Sequence, residues 1–269
     1  MRRLLGATTL PGPLVEQLLS GASMSWLLGE PAEAVAADLA LCWPALGPDE
    51  VRASVKPTTD RSAWRLTVVA NDRPGLLAGT AGVLASHGMT LTSGSTASWP
   101  DLGLALQCVV AADPAGQERL PSEWDDVGKS LRSTLGRGDP VVPDFLPVPP
   151  VRVDCTAQAQ GRCLVRMEAP DHVGLLWSVA RWFADNGCNI EATTLSTDGH
   201  TARSTFLVTG TVDGAALAAA VGGTSAEPWR IPSMAMRLAV NGALAAAGVA
   251  AAVAVRTLRA GRRSPPPEL

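Results

Sequence analysis

The sequence contains an internal repeat that constrains the fold more than any other feature. The motif Asp-x-x-Gly-Leu-Leu begins at Asp72 and begins again, 99 residues later, at Asp171. Gly88 and Gly187, each at a position suited to end a helix, keep the same spacing. Because a turn, a helix face and a helix stop all recur without a gap, the sequence predicts two like domains in tandem. A duplication kept only for structural reasons predicts the same two domains.

Each repeat reads as strand, helix, strand, strand, helix, judged from runs of β-formers, turn residues and helical spacing of apolar side chains. The first repeat has predicted strands at Ala63–Ala70, Met89–Ala97 and Leu102–Ala111, a helix from Leu76 to the stop at Gly88, and a helix at Trp124–Leu135. The second has strands at Arg162–Ala169, Cys188–Thr197 and Thr201–Thr209, a helix from Leu175 to the stop at Gly187, and a helix at Gly214–Val221. The predicted fold is α+β, with two ferredoxin-like βαββαβ domains in tandem and flanking N- and C-terminal helices.

The remaining segments complete the predicted organisation. It comprises a flexible leader (1–18), an N-terminal helical segment (19–60), domain 1 (61–137), a Pro-rich linker (138–150), domain 2 (151–222), and an Ala-rich helix with a basic disordered tail (223–269). Within the last segment, Leu238–Val255 carries no charge, and as a helix it would be roughly 27 Å long. It is interpreted either as a helix packed on the sheet or on a partner, or as a membrane segment.

The two turn-and-helix segments, from Ala70 to Leu91 and from Ala169 to Ile190, resemble the ACT domain family. The likeness covers about residues 20–222, and the pair is similar to the paired C-terminal ACT domains of bacterial PII-protein uridylyltransferases, which act in nitrogen metabolism. The resemblance implies a regulatory module that senses a small molecule, usually an amino acid. It also implies pairing of sheets edge to edge, either within the chain or in a homo-oligomer.

The turn before the first helix of each repeat is the predicted ligand site. Free N–H groups and the positive end of the dipole at a helix N-terminus favour a carboxylate, and glycine permits close approach. An Asp in the turn would take an amino group, and the resemblance adds the start of the second strand. The predicted ligand-binding residues are Asp72, Arg73, Gly75, Leu76, Thr90, Asp171, His172, Gly174, Leu175 and Asn189.

Two interpretations of the turn carboxylates stay open at this stage. Asp72 and Asp171 either cap the helix alone, or cap it and also contact a ligand. Some ACT domains carry a His two residues before this Asp, where the sequence has Ala70 and Ala169. Because the ACT ligand-binding Asn is matched by Asn189 but replaced by Thr90 in the first repeat, the second repeat is predicted to be the better site.

The sequence offers no motif for catalysis, a cofactor or a metal. It has three histidines and none of the metalloprotease, nucleophile-elbow or phosphate-loop patterns. The five cysteines form no CxxC pair, and the N-terminal apolar run is too short for an export signal, which favours reduced thiols and a cytoplasmic location. A net charge of −3 argues against a nucleic-acid partner.

The sequence therefore predicts a non-catalytic regulatory sensor that binds an amino acid at ACT interfaces and signals to a partner protein. The alternative is a ligand-free ACT scaffold that assembles other components. In that alternative the membrane is a possible partner, through a tether at Leu238–Val255.

Overall fold

A computed structural model of the protein describes residues 10–58, 62–117, 119–137, 141–143 and 151–222. Three helices come first: α1 (Gly12–Gly21), α2 (Met24–Gly29) and α3 (Ala32–Ala40). The first repeat consists of β1 (Arg52–Pro57), β2 (Trp64–Asn71), α4 (Leu76–Ser86), β3 (Thr90–Trp99), β4 (Leu104–Ala112) and α5 (Pro121–Arg137). The second consists of β5 (Arg152–Gln158), β6 (Arg162–Pro170), α6 (Leu175–Asp185), β7 (Ile190–Asp198), β8 (Thr201–Thr209) and α7 (Gly214–Gly222).

The eight strands form one antiparallel sheet in the order β1-β2-β4-β3-β7-β8-β6-β5. Each repeat supplies four strands, and the two repeats join where β3 pairs with β7. In that pairing Ser95 lies opposite Thr194, its own counterpart in the repeat. Ser93 lies opposite Ser196, and Ala97 opposite Ala192, so the register is symmetric on either side of this pair. The repeats are therefore related by a pseudo-twofold axis through Ser95 and Thr194.

The predicted βαββαβ order is wrong in one respect: the strand at the outer edge of each repeat is the first of the repeat in sequence, not the last. In both repeats this strand precedes the others, as β1 and β5, and pairs antiparallel with β2 or β6. It occupies the edge place that the predicted order gives to a strand after the second helix. In both strands a short alternation of apolar and polar residues packs Ala53 and Val55, or Val153 and Cys155, against the core. These alternations are too short to identify a strand by themselves. Residues 52–57 form β1, so the predicted N-terminal helical segment (19–60) is wrong there.

The helices α4–α7 cover one face of the sheet and enclose the main core. Leu66, Val68 and Leu84 are buried there from the first repeat, and Phe183 and Phe206 from the second. Helices α4 and α6 lie side by side across the junction. Gly82 on α4 makes room for a side chain of α6: a Cβ on Gly82 would lie 2.8 Å from the Trp177 ring. The two repeats thus share one continuous core.

The N-terminal helices cover the opposite face of the first repeat only. Leu18, Trp26 and Leu39 pack against Val69 and Leu106 of the sheet. Helix α1 begins at Gly12, so residues 12–18 are helical and not the predicted flexible leader. Residues 1–9 lie outside the described part of the chain.

A buried ion pair fastens this helical layer to the sheet. The Arg65 guanidinium donates to both carboxylate oxygens of Asp38, at 3.0 and 2.6 Å, and the side chain of Asp38 is 3% exposed. Thr67 donates to the same carboxylate at 2.8 Å, and Glu30 also contacts Arg65. The second repeat has Leu164 at the place of Arg65, and its equivalent sheet face is partly exposed.

Several predictions about the ends fall on residues outside the described part. They concern most of the linker at 138–150, the C-terminal segment 223–269, and Leu238–Val255 within it. Among the described helices, none is long and apolar enough to cross a membrane. All five cysteines are free, and burial raises the pKa of the Cys42 thiol to about 12.

The Asp38–Arg65 pair predicts a large, specific loss of stability. In Asp38→Ala the Arg65 charge loses its main partner, and breaking a buried pair costs about 3 kcal/mol of unfolding free energy. Replacing both members by apolar residues, as Asp38→Leu with Arg65→Met, is expected to recover most of that loss. Urea unfolding measures both effects. The matched control is Asp126→Ala, which removes an exposed pair with Lys129; an equal effect of the two alanine variants would contradict the prediction.

Candidate ligand site

Two clefts lie at the junction of the repeats, related by the pseudo-twofold axis. We call them the Asp72 cleft and the Asp171 cleft. The Asp72 cleft is lined by Asp72, Arg73, Gly75, Leu76, Leu77, Ala78, Thr96, Ala97, Ala105, Gln107, Ala180, Cys188, Asn189 and Ile190. The Asp171 cleft is lined by Ala81, Ala85, Met89, Thr90, Leu91, Met167, Asp171, His172, Gly174, Leu175, Leu176, Trp177, Leu195, Ser196, Thr197, Ala202 and Ser204. All ten predicted site residues line one cleft or the other.

The carboxylate of Asp72 crosses the junction to meet the second repeat. Asn189 Nδ2 donates to its two oxygens at 3.4 and 3.3 Å, and the Ser98 hydroxyl donates to one of them. The main-chain N–H of Asp72 donates to the Gly103 carbonyl at 2.9 Å, which anchors the turn to the β3–β4 hairpin. The turn is thus rigidly held while the carboxylate faces the other repeat.

The Asp171 cleft repeats this arrangement with the roles exchanged. Thr90 of the first repeat donates through Oγ1 to the Asp171 oxygens at 3.4 and 3.3 Å. The main-chain N–H of Asp171 donates to the His200 carbonyl at 2.8 Å. Burial raises the pKa of the Asp171 carboxyl, although hydrogen bonds from Thr90 and Thr197 and the nearby His172 oppose the rise.

Neither turn carboxylate caps a helix, so the capping interpretation is wrong for both. The N-cap residues are Gly75 and Gly174, with left-handed φ of 85° and 90°, and neither helix receives a side-chain cap. The first-turn N–H groups of a helix have no partner within the helix. In α4 the Leu76 N–H donates to the Arg73 carbonyl at 3.3 Å, and the next first-turn residues, Leu77 and Ala78, also line the Asp72 cleft.

The side chains of Arg73 and His172, which directly follow Asp72 and Asp171, each donate a hydrogen bond to a main-chain carbonyl. The Arg73 guanidinium donates to the Leu135 carbonyl in the last turn of α5, where the helix dipole also favours a cation. His172 Nδ1 donates to the Pro170 carbonyl at 3.0 Å. Both residues border their clefts, but these bonds stabilise the turn and leave the aspartates as the charged groups that face across the junction.

The pairing of site residues differs from the sequence-based expectation. That expectation took Asp171 and Asn189 together as the better site, because both belong to the second repeat. The structure places Asn189 against Asp72 and Thr90 against Asp171. The reason is the antiparallel pairing of β3 with β7, which brings the start of each second strand to the turn of the other repeat. Each cleft therefore needs both repeats.

Sequence reasoning missed the floor of the Asp72 cleft. Thr96 and Gln107 lie opposite each other on β3 and β4, and are only 5% and 3% exposed. Thr96 Oγ1 and Gln107 Oε1 have no hydrogen-bond partner among the described residues. A signal was present in the sequence, because Gln107 interrupts the otherwise apolar run of β4.

Both clefts are narrow in this structure. The Asp72 cleft has a cavity volume of about 20 Å³ and the Asp171 cleft about 30 Å³. A single water needs roughly 10–15 Å³ on this measure, so each cleft has room for a water or two. A larger ligand must first displace the Asn189–Asp72 or Thr90–Asp171 contacts.

Comparison with known proteins identifies the class of the second repeat. A family model described as ACT domain matches residues 164–222, from β6 through α7. The chain therefore contains an ACT domain, set in a mixed α+β fold with an eight-stranded antiparallel sheet. A search of curated proteins finds no match.

Two solved structures show distant likeness to the chain. One is aspartate kinase from Synechocystis, at 16% identity and a TM-score of 0.35; the match covers 56% of this chain and 24% of the kinase. The other is an unknown protein from Galdieria sulphuraria, at 18% identity and a TM-score of 0.23, covering 59% of this chain and 82% of that one. The chain thus spans about a quarter of the length of the kinase.

The raised pKa of Asp171 predicts a pH-dependent cost to folding. Because the folded state binds the proton more tightly than the unfolded state, stability is greatest below the unfolded pKa and falls as pH rises through the folded pKa. Asp171→Asn is therefore expected to be more stable than wild type at neutral pH, with the advantage shrinking below about pH 4. Thr90→Val, which removes a donor to the carboxylate, should enlarge the advantage of Asn at position 171. Urea unfolding from pH 3 to 8 measures this difference in unfolding free energy between the Asp and Asn forms. A difference that grows on acidification would contradict a raised pKa for Asp171.

Proposed function

We propose that the chain is a regulatory sensor that binds an amino acid in the clefts between its repeats and passes the signal to a partner protein. ACT domains generally bind amino acids for regulation. The observation that carries the proposal is the build of each cleft, where an aspartate and a helix N-terminus of one repeat face a strand end of the other. On this proposal the first repeat is a second ACT domain and the two form an intramolecular pair.

The groups in each cleft suit the two ends of an amino acid. The Asp72 or Asp171 carboxylate would accept hydrogen bonds from the ligand ammonium, a charge-assisted contact about twice as strong as a neutral one. The N–H groups at the start of α4 or α6 would bind the ligand carboxylate, helped by the helix dipole. The left-handed Gly75 and Gly174 leave these N–H groups accessible, since no Cβ stands beside them.

Binding would change how the repeats contact each other. The bonds that now close the clefts are long, at 3.3–3.4 Å, and each crosses the junction. A ligand that takes over Asp72 replaces one side of the Asn189 contact. A ligand shifts a conformational equilibrium only through its different affinity for the two states. Here the affinities would differ because the ligand fits only when the turn of one repeat separates from the strand end of the other. That separation would alter the surface that the junction presents to a partner.

We propose that this role is non-catalytic and resembles that of the paired ACT domains of PII-protein uridylyltransferases, as a sensor of nitrogen status in the cytoplasm. The support is the recurrence of the Asp-x-x-Gly-Leu-Leu motif and its position at the junction of the two repeats within one sheet. The regulated partner would have to recognise the junction or the outer sheet faces.

The second candidate is a ligand-free scaffold, favoured by the small volume of both clefts. With room for a water or two, the clefts as they stand hold their own polar contacts in place of a ligand. In that case Asp72 and Asp171 serve to fix the register of the two repeats, and the paired sheets act as an assembly surface.

A screen against the twenty amino acids separates these candidates. Each is added at millimolar concentration to the purified protein, and the melting temperature is recorded. Ligand at 100 times its Kd stabilises the folded state by about 2.7 kcal/mol, a rise of several degrees. The rise is expected for a few amino acids, and we expect Asp72→Ala with Asp171→Ala to abolish it.

The matched control is Asp101→Ala, which removes an exposed carboxylate in the β3–β4 hairpin and should leave the rise intact. A flat response to all twenty amino acids would contradict the sensor proposal and leave the scaffold as the function.

A further inference from the structure

The two clefts differ at the floor, and the difference concerns unpaired polar atoms. In the Asp72 cleft, Thr96 Oγ1 and Gln107 Oε1 are buried and lack partners among the described residues. A buried polar group without a hydrogen bond costs about 1–3 kcal/mol, so folded proteins retain few of them. Two such atoms on adjacent strands, both lining one cleft, indicate a surface shaped to receive hydrogen bonds from outside the protein.

The Asp171 cleft provides the comparison within the same molecule. Leu195 occupies the place of Thr96 in the repeat, and Ser204 lies opposite Leu195 as Gln107 lies opposite Thr96. Met167 adds a further apolar side chain to this floor. We call the aspartate, the glycine and the helix start at the entrance of each cleft its mouth, and both repeats have kept these three features. The floor, however, carries an amide and a hydroxyl in the Asp72 cleft and is largely apolar in the Asp171 cleft.

We propose that the Asp72 cleft selects an amino acid whose short side chain is uncharged and carries a hydroxyl or carboxamide, whereas the Asp171 cleft accepts an apolar side chain. This inference rests on the proposed function, and it names the ligand class of each cleft. The side chain would reach the floor when the ammonium and carboxylate are held at the mouth. A hydroxyl or a carboxamide both donates and accepts, so it can satisfy the Thr96 hydroxyl and either end of the Gln107 amide.

Charged side chains fit this floor poorly. Thr96 and Gln107 carry no charge, and Asp72 at the mouth would repel a second carboxylate. The guanidinium of Arg73 already donates to the Leu135 carbonyl. Burying a charge without a partner is far more costly than burying a hydroxyl. The narrow cavity, about 20 Å³ before the mouth contacts part, also favours a short side chain.

The test compares amino acids that differ by one hydroxyl. Isothermal titration with L-serine and L-alanine, and with the near-isosteric L-threonine and L-valine, is carried out on the full chain. To isolate the Asp72 cleft, the measurements use the Asp171→Ala background. Serine or threonine is expected to bind about tenfold more tightly than its hydroxyl-free analogue, the effect of roughly one good hydrogen bond.

Thr96→Val with Gln107→Met then removes the polar floor at nearly constant volume. The preference for the hydroxyl is expected to fall to within about twofold, while the melting temperature without ligand stays equal or rises, because two unpaired polar atoms have been removed. The control is Ser204→Ala, the corresponding change in the other cleft, which should leave the preference unchanged.

The outcomes separate this inference from the function on which it rests. If amino acids bind and Asp72→Ala abolishes binding, but the floor variant keeps the preference for the hydroxyl, the assignment of the floor is overturned and the sensor stands. If the floor variant unfolds or melts well below wild type, Thr96 and Gln107 are structural and the inference is likewise overturned. If no amino acid binds at all, the proposed function falls and the inference falls with it.

Discussion

The pairing of β3 with β7 determines most of what is distinctive in this molecule. Its register places Ser95 opposite Thr194, each the counterpart of the other in the repeat, and so imposes a twofold relation on two unequal halves. The same pairing sets α4 beside α6 and brings each turn aspartate to the strand end of the other repeat. Without it, Asp72 and Asp171 would be exposed carboxylates on separate domains, with no cleft to line.

Symmetry in the sheet does not extend to its outer faces or to the cleft floors. The first repeat is covered on both faces, and its helical layer is fixed by the buried Asp38–Arg65 pair, whereas Leu164 stands at that place in the second repeat. The floors diverge in the same manner, at Thr96 and Leu195. The duplication has thus retained the backbone frame of the junction while the side chains around it have taken separate roles.

Much of the fold was readable from the sequence, because its signals are local. The Asp-x-x-Gly-Leu-Leu turn, the helix it starts and the stop at Gly88 all lie where spacing predicts them. The edge strand β5 was missed because only Val153 and Cys155 of its apolar residues reach the core, a signal too short to read locally, and because its pairing with β6 is a tertiary contact. The partners of Asp72 and Asp171 were missed for a related reason. Which strand end reaches which turn depends on the direction of the β3–β7 pairing, and no local pattern encodes it.

Because the Asp72 cleft and the Asp171 cleft each take one wall from each repeat, the two repeats cannot be reduced to independent modules. An isolated second repeat would expose β7 as a bare edge strand, and such edges invite pairing with another copy. Two copies paired in this way would set Asp171 against Asn189 at both mouths, a combination that the intact chain does not contain. Covalent fusion is what permits two unlike mouths in one sheet: a true homodimer must repeat itself, whereas a fused pair is free to evolve a different chemistry on each side of its axis.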